Sequence, residues 1–462
     1  MPASAPASLW LDTLPDGDLA RRRPPLPGST EVDVAIVGAG YTGLWTAYYL
    51  ARRDPSLRIV VLEKEFAGFG ASGRNGGWLS NLLPLSWETI AAATSREAAI
   101  AWQRCADATV DEVLTVASAE GIDAQAQKGG YLCVATSELQ AQRLRASVAQ
   151  AREWGFDDGD LVWLSRAEAR ARVAAERVFG ATWTPHCAAI HPARLVRGLA
   201  EAVERLGVRI YEQTTATAIA PRTVRTDRGT VTATHVVRCL EGFTASISGQ
   251  RRAWLPMNSS MVVTEPLPDA VAAEIGWQRR EVFGDLAHAY MYAQRTLDGR
   301  IALGGRGRPY RFASRTDDRG RTQDATVEAL TALLRTLFPA AAGVPVAHAW
   351  CGVLGVPRDW CTTVTHDRAT GLGAAGGYVG SGLAATNLAG RTLAALVLGE
   401  DSELTRLPWV GRRVRYWEPE PIRWLGVHAM YAMYRHADRR EYRSASAADH
   451  PVARLANAVS GR

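Results

Sequence analysis

Lysine is almost absent from this chain of 462 residues, in which Lys64 and Lys128 are the two lysines among 53 basic residues. The other basic residues are arginines, and they are spread along the chain rather than clustered with aromatic side chains. A nucleic-acid-binding surface requires a basic cluster or stripe. The formal net charge of +6 therefore identifies no partner, and we expect no nucleic acid to be bound.

The six cysteines include no CxxC pair, which argues against a redox disulfide and against a zinc site. They are expected to be thiols in a reducing compartment. His186, Cys187 and His191 lie close together before a predicted helix, but no carboxylate nearby completes a set of ligands. We therefore predict no metal site.

Long apolar runs are also missing, because no window approaches about 18 uncharged apolar residues. Residues 1–30 contain proline, aspartate and arginine without a continuous apolar stretch, as a signal peptide would require. We therefore expect no transmembrane segment and a cytoplasmic protein. The 47% of hydrophobic residues in a chain of this length predicts more than one domain.

The first ordered segment has the pattern of a βαβ unit. An apolar strand at 32–37 precedes a helix at 43–52, and a second apolar strand follows at 59–63. Between the first strand and the helix lies a GxGxxG motif, in which Gly38 makes the tight turn, Gly40 lets the backbone approach a diphosphate and Gly43 permits close helix packing. The helix N-terminus then faces the diphosphate.

Two further features follow this motif, and the second of them favours FAD over NAD. Glu63 ends the second strand twenty residues after Gly43, where a carboxylate accepts both hydroxyl groups of a ribose. A second glycine-rich stretch follows at 68–77, and its small residues let the backbone run along a ribityl chain. Within it, Arg74 and Asn75 provide polar groups for the flavin ring or the diphosphate.

These motifs resemble those of the D-amino-acid oxidase (DAO) superfamily of FAD enzymes. The similarity falls in the branch typified by gamma-glutamylputrescine oxidoreductase, with glycine and sarcosine oxidases as more distant relatives. It covers residues 8–440, and its most specific stretch is GASGRNGG at 70–77. The resemblance implies an α/β fold in which a Rossmann-like FAD-binding domain of the glutathione-reductase type is interleaved with a substrate domain built on an antiparallel sheet.

The resemblance also assigns the cofactor site. It implies that the helix after Gly380-Ser381-Gly382 directs its N-terminus at the flavin pyrimidine ring, where N–H groups and the helix dipole stabilise the charge that develops on reduction. Ser381 stands where the family commonly has histidine, so a backbone role is expected there. The predicted cofactor-binding residues are Gly38, Gly40, Tyr41, Thr42, Gly43, Glu63, Lys64, Gly70, Ala71, Ser72, Arg74, Asn75, Gly76, Gly77, Ala216, Gly380, Gly382 and Leu383.

The expected domain order is discontinuous. The predicted parts are an N-terminal arm at 1–30, an FAD-binding domain at 31–85, 185–250 and 340–400, a substrate domain at 86–184 and 251–339, a C-terminal aromatic and helical cap at 401–440, and a mobile tail at 441–462.

The resemblance implies oxidation of a primary or secondary amine by hydride transfer to flavin N5, which gives an imine that hydrolyses. Molecular oxygen or another electron acceptor would then reoxidise the flavin. Tyr290, Tyr292 and Arg306 are candidates to line the substrate cavity, because phenols and guanidinium groups orient amines and carboxylates. They fit ordinary sheet or surface positions as well.

Trp350, like Trp360, fits a wall of the cavity or plain core packing. Sarcosine oxidases attach flavin through a cysteine in the region of Cys351, but a buried thiol and noncovalent FAD are expected here. Lys128 is the one lysine that remains for oxygen activation, since Lys64 is assigned to the cofactor strand.

Two other functions remain open. The same flavin could oxidise a hydroxy acid or a polyol, for which Arg306 and Arg308 are the suggestive anion-binding groups. Alternatively, the chain could be a flavin-containing binding or membrane-peripheral protein that docks through its Trp-rich segment at 409–434. We expect that segment instead to cap the chain's own core.

Overall fold

The computed structural model of the protein describes residues 8–305, 310–316 and 319–441. Its strands are β1 Thr30–Val37, β2 Ile59–Leu62, β3 Trp78–Ser80, β4 Tyr131–Val134, β5 Val162–Leu164, β6 Ala181–Thr184, β7 Cys187–Ala189, β8 Arg209–Tyr211, β9 Ala216–Ala220, β10 Thr223–Thr226, β11 Gly229–Arg238, β12 Leu255–Thr264, β13 Val282–Asp285, β14 Tyr292–Arg295, β15 Ile301–Gly305, β16 Val346–Val356, β17 Thr363–Asp367 and β18 Leu372–Gly376.

The predicted helix at 43–52 is present, and the described residues form eleven α-helices in all. They are α1 Leu9–Asp12, α2 Tyr41–Arg53, α3 Trp87–Ala93, α4 Arg96–Ala119, α5 Glu138–Glu153, α6 Arg166–Arg172, α7 Pro192–Arg205, α8 Asp269–Ile275, α9 Asp324–Leu337, α10 Gly382–Leu398 and α11 Ile422–Glu441. None of these helices is long and apolar enough to cross a membrane.

The first sheet, sheet I, has the doubly wound arrangement that the βαβ pattern predicts. Its parallel strands run in the order β8, β2, β1, β11, β18, and β17 adds an antiparallel edge. Alternate side chains of β1 enter different cores: Val34 and Ile36 pack with α2, α7 and α10, whereas Ala35 and Val37 face the β10 side. Gly390 lets α10 cross α2 closely, since a Cβ there would lie 2.6 Å from the Cβ of Trp45.

The second sheet, sheet II, has the order β16, β12, β15, β14, β13, β4, β6, β5. All its pairs are antiparallel except β13 with β4. One face packs on α9 through residues such as Leu132, Val262 and Leu303. The opposite face carries polar and aromatic residues such as Thr182, Tyr131 and Tyr292, and it turns toward sheet I, which leaves a cavity between the two sheets.

The strand pairing of two segments is not apparent from the sequence. Gly229–Arg238 is one long strand, because β1 pairs along one of its edges while β10 and β18 pair with successive parts of the other. The segment 340–400 was expected to belong with the FAD-binding sheet, yet β16 pairs with β12 in sheet II. β10 and β13 were not predicted, because four-residue strands carry little periodic signal.

The two ends of the described chain pack on the body. In the N-terminal arm, Trp10 is buried beside the turn at 73–75. In the segment from 401 onward, Trp409 packs on Trp102 with ring centroids 5.5 Å apart, and the Trp417 indole N–H donates to Val356 O at 2.7 Å. The predicted tail at 441–462 lies outside the described residues, apart from Glu441.

Candidate functional site

A cavity of about 1560 Å³ lies between the two sheets. Ligand pockets commonly span about 300–1,000 Å³, so this cavity has room for a dinucleotide and a small substrate together. The carboxyl end of β1, the start of α2, the turn at 69–76 and the start of α10 line it from sheet I. Residues of β4, β6, β13 and β14 line it from sheet II.

The glycines of the first motif are required by close backbone contacts. Gly38 has φ +107°, and a Cβ there would lie 2.5 Å from the carbonyl oxygen of Cys239. A Cβ on Gly40 would lie 2.9 Å from Ser72 Oγ. Gly43 does not line the cavity; a Cβ there would strike the carbonyl oxygen of Gly38. The motif therefore makes a bare backbone cradle whose helix is packed tightly behind it.

Glu63 stands at the end of β2 and lines the cavity beside Lys64 and Ala216. Its carboxylate accepts hydrogen bonds from the backbone N–H groups of Ala39 and Glu65, both at 2.9 Å. Burial raises the pKa of Glu63 to about 7, and these two hydrogen bonds oppose that shift. The carboxylate is thus fixed at the strand end, where it can accept hydroxyl groups of a ligand.

Two helices direct open N-termini into the cavity. The residue before α2 is Gly40 and the residue before α10 is Ser381, and neither side chain caps its helix. By contrast, Ser95 and Ser137 cap α4 and α5 with side-chain oxygens. Uncapped N–H groups and the positive end of a helix dipole attract anionic groups. The start of α10 is therefore available to a ligand with negative charge, whereas the first N–H of α2, that of Tyr41, already donates to Ser72 Oγ at 2.9 Å.

The second glycine stretch forms a turn that crosses the middle of the cavity. Arg74 is buried, with its guanidinium 4.5 Å from the centre of the Phe69 ring. Asn75 stabilises the turn, since its amide donates to Ala71 O and Ser72 O while its Oδ1 accepts from the Gly77 N–H. Gly77 itself lies behind the cavity wall, where a Cβ would strike Gln294.

Glu241 is a cavity residue that the sequence did not single out. Its carboxylate accepts from the backbone N–H groups of Gly377 at 2.7 Å, Gly355 at 3.0 Å and Tyr378 at 3.3 Å. It thereby ties the end of β16 to the segment that leads into α10. Burial raises the pKa of Glu241 to about 7, against the effect of those three hydrogen bonds.

Tyr292 forms part of the cavity wall on sheet II, and neighbouring glycines make space for it. It pairs with Gly284 on one side and Gly304 on the other. A Cβ on Gly304 would strike its ring, and a Cβ on Gly76 would lie 2.9 Å from that ring. The hydroxyl is within 2.9 Å of Ser259 Oγ. Tyr292 is therefore held in one place between the glycine turn and the sheet.

The structure brings most of the predicted site residues together. Those that line the cavity are Gly38, Gly40, Tyr41, Thr42, Glu63, Lys64, Gly70, Ala71, Ser72, Arg74, Asn75, Gly76, Ala216, Tyr290, Tyr292, Trp360, Gly380, Gly382 and Leu383. Arg306 and Arg308 lie outside the described residues.

Trp350 and Cys351, like Gly43 and Gly77, are not part of the cavity wall. Trp350 is fully buried behind the glycine turn, where its indole N–H donates to Arg74 O at 2.8 Å. The thiol of Cys351 points to the opposite face of β16 and donates to Arg321 O at 3.2 Å. The residues that follow Cys351, namely Gly352, Val353 and Leu354, do line the cavity.

Polar residues line the far end of the cavity. Asp107 accepts from the side-chain amides of Asn81 at 2.7 Å and Gln103 at 2.9 Å. Asp160 lies 2.5 Å from Arg104 and 3.3 Å from Nε2 of His186. Acidic and basic groups are thus paired in this region.

The other histidine, cysteine and lysine residues that the sequence singled out lie apart from one another. Nδ1 of His191 accepts from the N–H of Arg194 at the start of α7, and Cys187 is buried on β7. Lys128 pairs with Asp111 at 2.5 Å and does not line the cavity.

Sheet I, its glycine turn and the adjoining cavity together define a dinucleotide-dependent enzyme. More specifically, the chain belongs to the DAO family of FAD-dependent oxidoreductases, whose model matches residues 33–396. It is 30% identical to the gamma-glutamylputrescine oxidoreductase of Escherichia coli strain K12 over 385 residues, which is 80% of this chain and 85% of that protein.

Solved structures share the fold. The glycine oxidase of Geobacillus kaustophilus superposes with a TM-score of 0.70 at 22% identity, covering 83% of this chain and 99% of that one. The L-amino acid deaminase of Proteus vulgaris gives a TM-score of 0.67 at 17% identity, covering 84% of this chain and 99% of that one.

Proposed function

We propose that the protein oxidises a primary or secondary amine to an imine, which water then hydrolyses to a carbonyl compound. The observation that carries the proposal is the single cavity that joins the dinucleotide cradle to the aromatic face of sheet II. A substrate on that face can contact a bound flavin directly. The names of the relatives support an amine as the substrate, since glycine, L-amino acids and gamma-glutamylputrescine all contain an amino group bonded to carbon.

FAD fits the residues that line the sheet I side of the cavity. We assign the diphosphate to the cradle at Gly38 and Gly40 and to the start of α2, and the ribose hydroxyls to Glu63. The glycine turn, with Arg74 and Asn75, takes the ribityl chain and ring, and the start of α10 takes the pyrimidine side. When bound, FAD supplies the acceptor for a hydride at N5.

The chain's own residues then orient the amine and exclude water. Tyr292 and Tyr290 line the substrate side, and Tyr292 is immobilised by Gly76, Gly304 and Ser259. The α-carbon of a neutral amine must be held near the flavin for hydride transfer, so position and desolvation replace a dedicated base. Trp360 lines the same cavity.

The test is the visible spectrum of the FAD-reconstituted protein under anaerobic conditions. Primary amines, N-methyl amino acids, D-amino acids, gamma-glutamylated amines and hydroxy acids are added in turn. Loss of the flavin band near roughly 450 nm with an amine is expected. Bleaching by hydroxy acids alone, or by no compound, would overturn the proposal.

The same sample distinguishes the electron acceptor and provides a variant control. Admitting air to the reduced protein restores the band rapidly if oxygen is the acceptor, and slowly if another acceptor is used. Tyr292→Phe removes the hydroxyl that contacts Ser259 but keeps the ring. We expect this variant to bind FAD normally and to be reduced by the same amine more slowly, by about two- to tenfold.

A further inference from the structure

Asp285 is a buried carboxylate on the substrate side of the cavity. It ends β13, lines the cavity and is 9% exposed. Its Oδ1 accepts a hydrogen bond from the Met291 N–H at 2.9 Å, which closes the loop that carries Tyr290. Among the described residues, no arginine, lysine or histidine forms an ion pair with Asp285. A carboxylate buried in this way is costly unless a cation accompanies it.

The surroundings of Asp285 are aromatic and suited to a cation. Trp78 lies between Tyr131 and Tyr292, with ring centroids 5.0 Å and 6.0 Å away. Gly284, the residue before Asp285, packs directly against these rings, because a Cβ there would lie 2.8 Å from the Trp78 ring and 3.1 Å from the Tyr131 hydroxyl. Aromatic faces attract ammonium groups, most strongly where water is excluded.

Two acidic side chains flank the loop that follows β13, Asp285 from the cavity and Asp438 from α11. Burial and then the charge of Asp285 raise the pKa of the Cys133 thiol to about 12. Asp438 of α11 holds the same loop from outside, where it accepts from the N–H groups of His288 at 2.9 Å and Ala289 at 3.1 Å. The His288 ring is directed to Glu441. A carboxylate of an amino-acid substrate would be repelled here, whereas an ammonium group would be attracted.

We infer that Asp285 and the wall of Trp78, Tyr131 and Tyr292 bind a second, positively charged nitrogen of the substrate, so that the protein acts on aliphatic diamines or longer polyamines. The inference rests on the proposed amine oxidation. The nitrogen that reacts must be neutral to release its α-hydrogen as a hydride. The cation at Asp285 is therefore a different nitrogen of the same molecule. By binding that end of the substrate, Asp285 positions the other end for reaction.

The test compares three series of equal chain length on the FAD-loaded protein. These are α,ω-diamines of three to six carbons, the matching alkyl monoamines and the matching ω-amino acids. We expect the best diamine to have a KM lower than that of its monoamine by about 30-fold or more, the usual effect of a buried charge pair. The ω-amino acid should be the poorest substrate of the three.

Asp285→Asn keeps the shape and the hydrogen bond from Met291 but removes the charge. The diamine should then lose its advantage over the monoamine, through KM rather than kcat. The matched control is Asp107→Asn. It also removes a charge from this cavity, but from a carboxylate that already accepts hydrogen bonds from Asn81 and Gln103. A diamine preference that survives in Asp285→Asn, or that falls equally in both variants, would overturn the inference.

A wild-type measurement avoids any effect of the substitution on folding. Choline and its neutral isostere 3,3-dimethylbutan-1-ol are compared as competitive inhibitors of amine oxidation. The inhibition constant of choline should be at least about tenfold lower than that of the neutral alcohol, because only choline carries a cation that pairs with Asp285 and the rings. Equal inhibition would contradict the inference. If no amine reduces the flavin at all, the proposed function fails instead, so the two failures are distinguishable.

Discussion

Tyr292 and Gly304 lie opposite each other on β14 and β15, and the tyrosine ring covers the glycine so closely that a Cβ on Gly304 would strike it. Gly304→Ala must therefore displace the ring or the strand. We expect the free energy of unfolding to fall by about 1–3 kcal/mol, measured by urea denaturation, and the KM for the amine to rise.

The matched control for this substitution is Gly343→Ala. A Cβ on Gly343 has no atom within 4 Å, so stability should change by less than about 0.5 kcal/mol. Equal behaviour of the two variants would mean that the glycine does not serve to accommodate Tyr292.

Trp10 connects the N-terminal arm to the glycine turn. Its indole N–H donates to Asn75 O at 2.8 Å, and its ring packs on Trp350 at 6.0 Å. We expect Trp10→Phe to lose about 1 kcal/mol of stability through the hydrogen bond, and Trp10→Ala to lose about 3–5 kcal/mol through the cavity it leaves.

The FAD dissociation constant of the Trp10 variants provides a second measurement. The dissociation constant should rise slightly in Trp10→Phe and more in Trp10→Ala, because the turn that Trp10 supports is the one assigned to the flavin. Leu297→Ala, at a residue 61% exposed, is the control for both measurements. A Trp10→Ala protein with unchanged stability would show that the arm does not support the site.

Glu241 predicts a pH dependence of the FAD-free protein. Burial raises its pKa from 4.5 to about 7 in the folded state, so folding favours the protonated carboxyl. The stability from this group is complete below about pH 4.5 and is lost as the pH rises through about 7. The glutamine of Glu241→Gln cannot ionise, so the variant does not lose this stability as the pH rises. The free energy of unfolding of the wild type should therefore fall relative to that of the variant by at most about 3 kcal/mol.

The measurement is the free energy of unfolding from urea titrations between pH 4.5 and 8. Glu63 and Asp285 have raised pKa values as well, but they are common to both proteins and cancel in the difference. Glu201→Gln, at an exposed glutamate, is the control. A difference that does not change with pH would contradict the assigned burial of Glu241.

Cys351 bears on how FAD is held. Because its thiol faces Arg321 and not the cavity, we expect acid precipitation to release all of the flavin into the supernatant. Mass spectrometry of the precipitated chain should show the unmodified mass, and Cys351→Ser should bind FAD equally well. A flavin that remains with the wild-type chain but not with the variant would show covalent attachment there.

The sequence was most informative where the interacting residues are close together in the chain. Gly38, Gly40, Gly43 and Glu63 belong to one βαβ unit, so their spacing alone predicted the cradle and the acidic strand end. The same holds for α2, which the sequence predicts at 43–52 and the structure has at Tyr41–Arg53. The family of the chain and its FAD dependence followed from such short motifs and are confirmed by the family match.

The sequence by itself thus determined the nucleotide-binding unit, because local backbone geometry and helix periodicity are written in neighbouring residues. Only the tertiary structure decided that Trp350 stands behind the turn, that Glu241 ties β16 to the segment before α10, and that Asp285 lines one cavity with Trp78 and Tyr292. Each of these contacts joins segments far apart in the chain. Such contacts depend on which strands pair and in which register, and no local pattern specifies that choice.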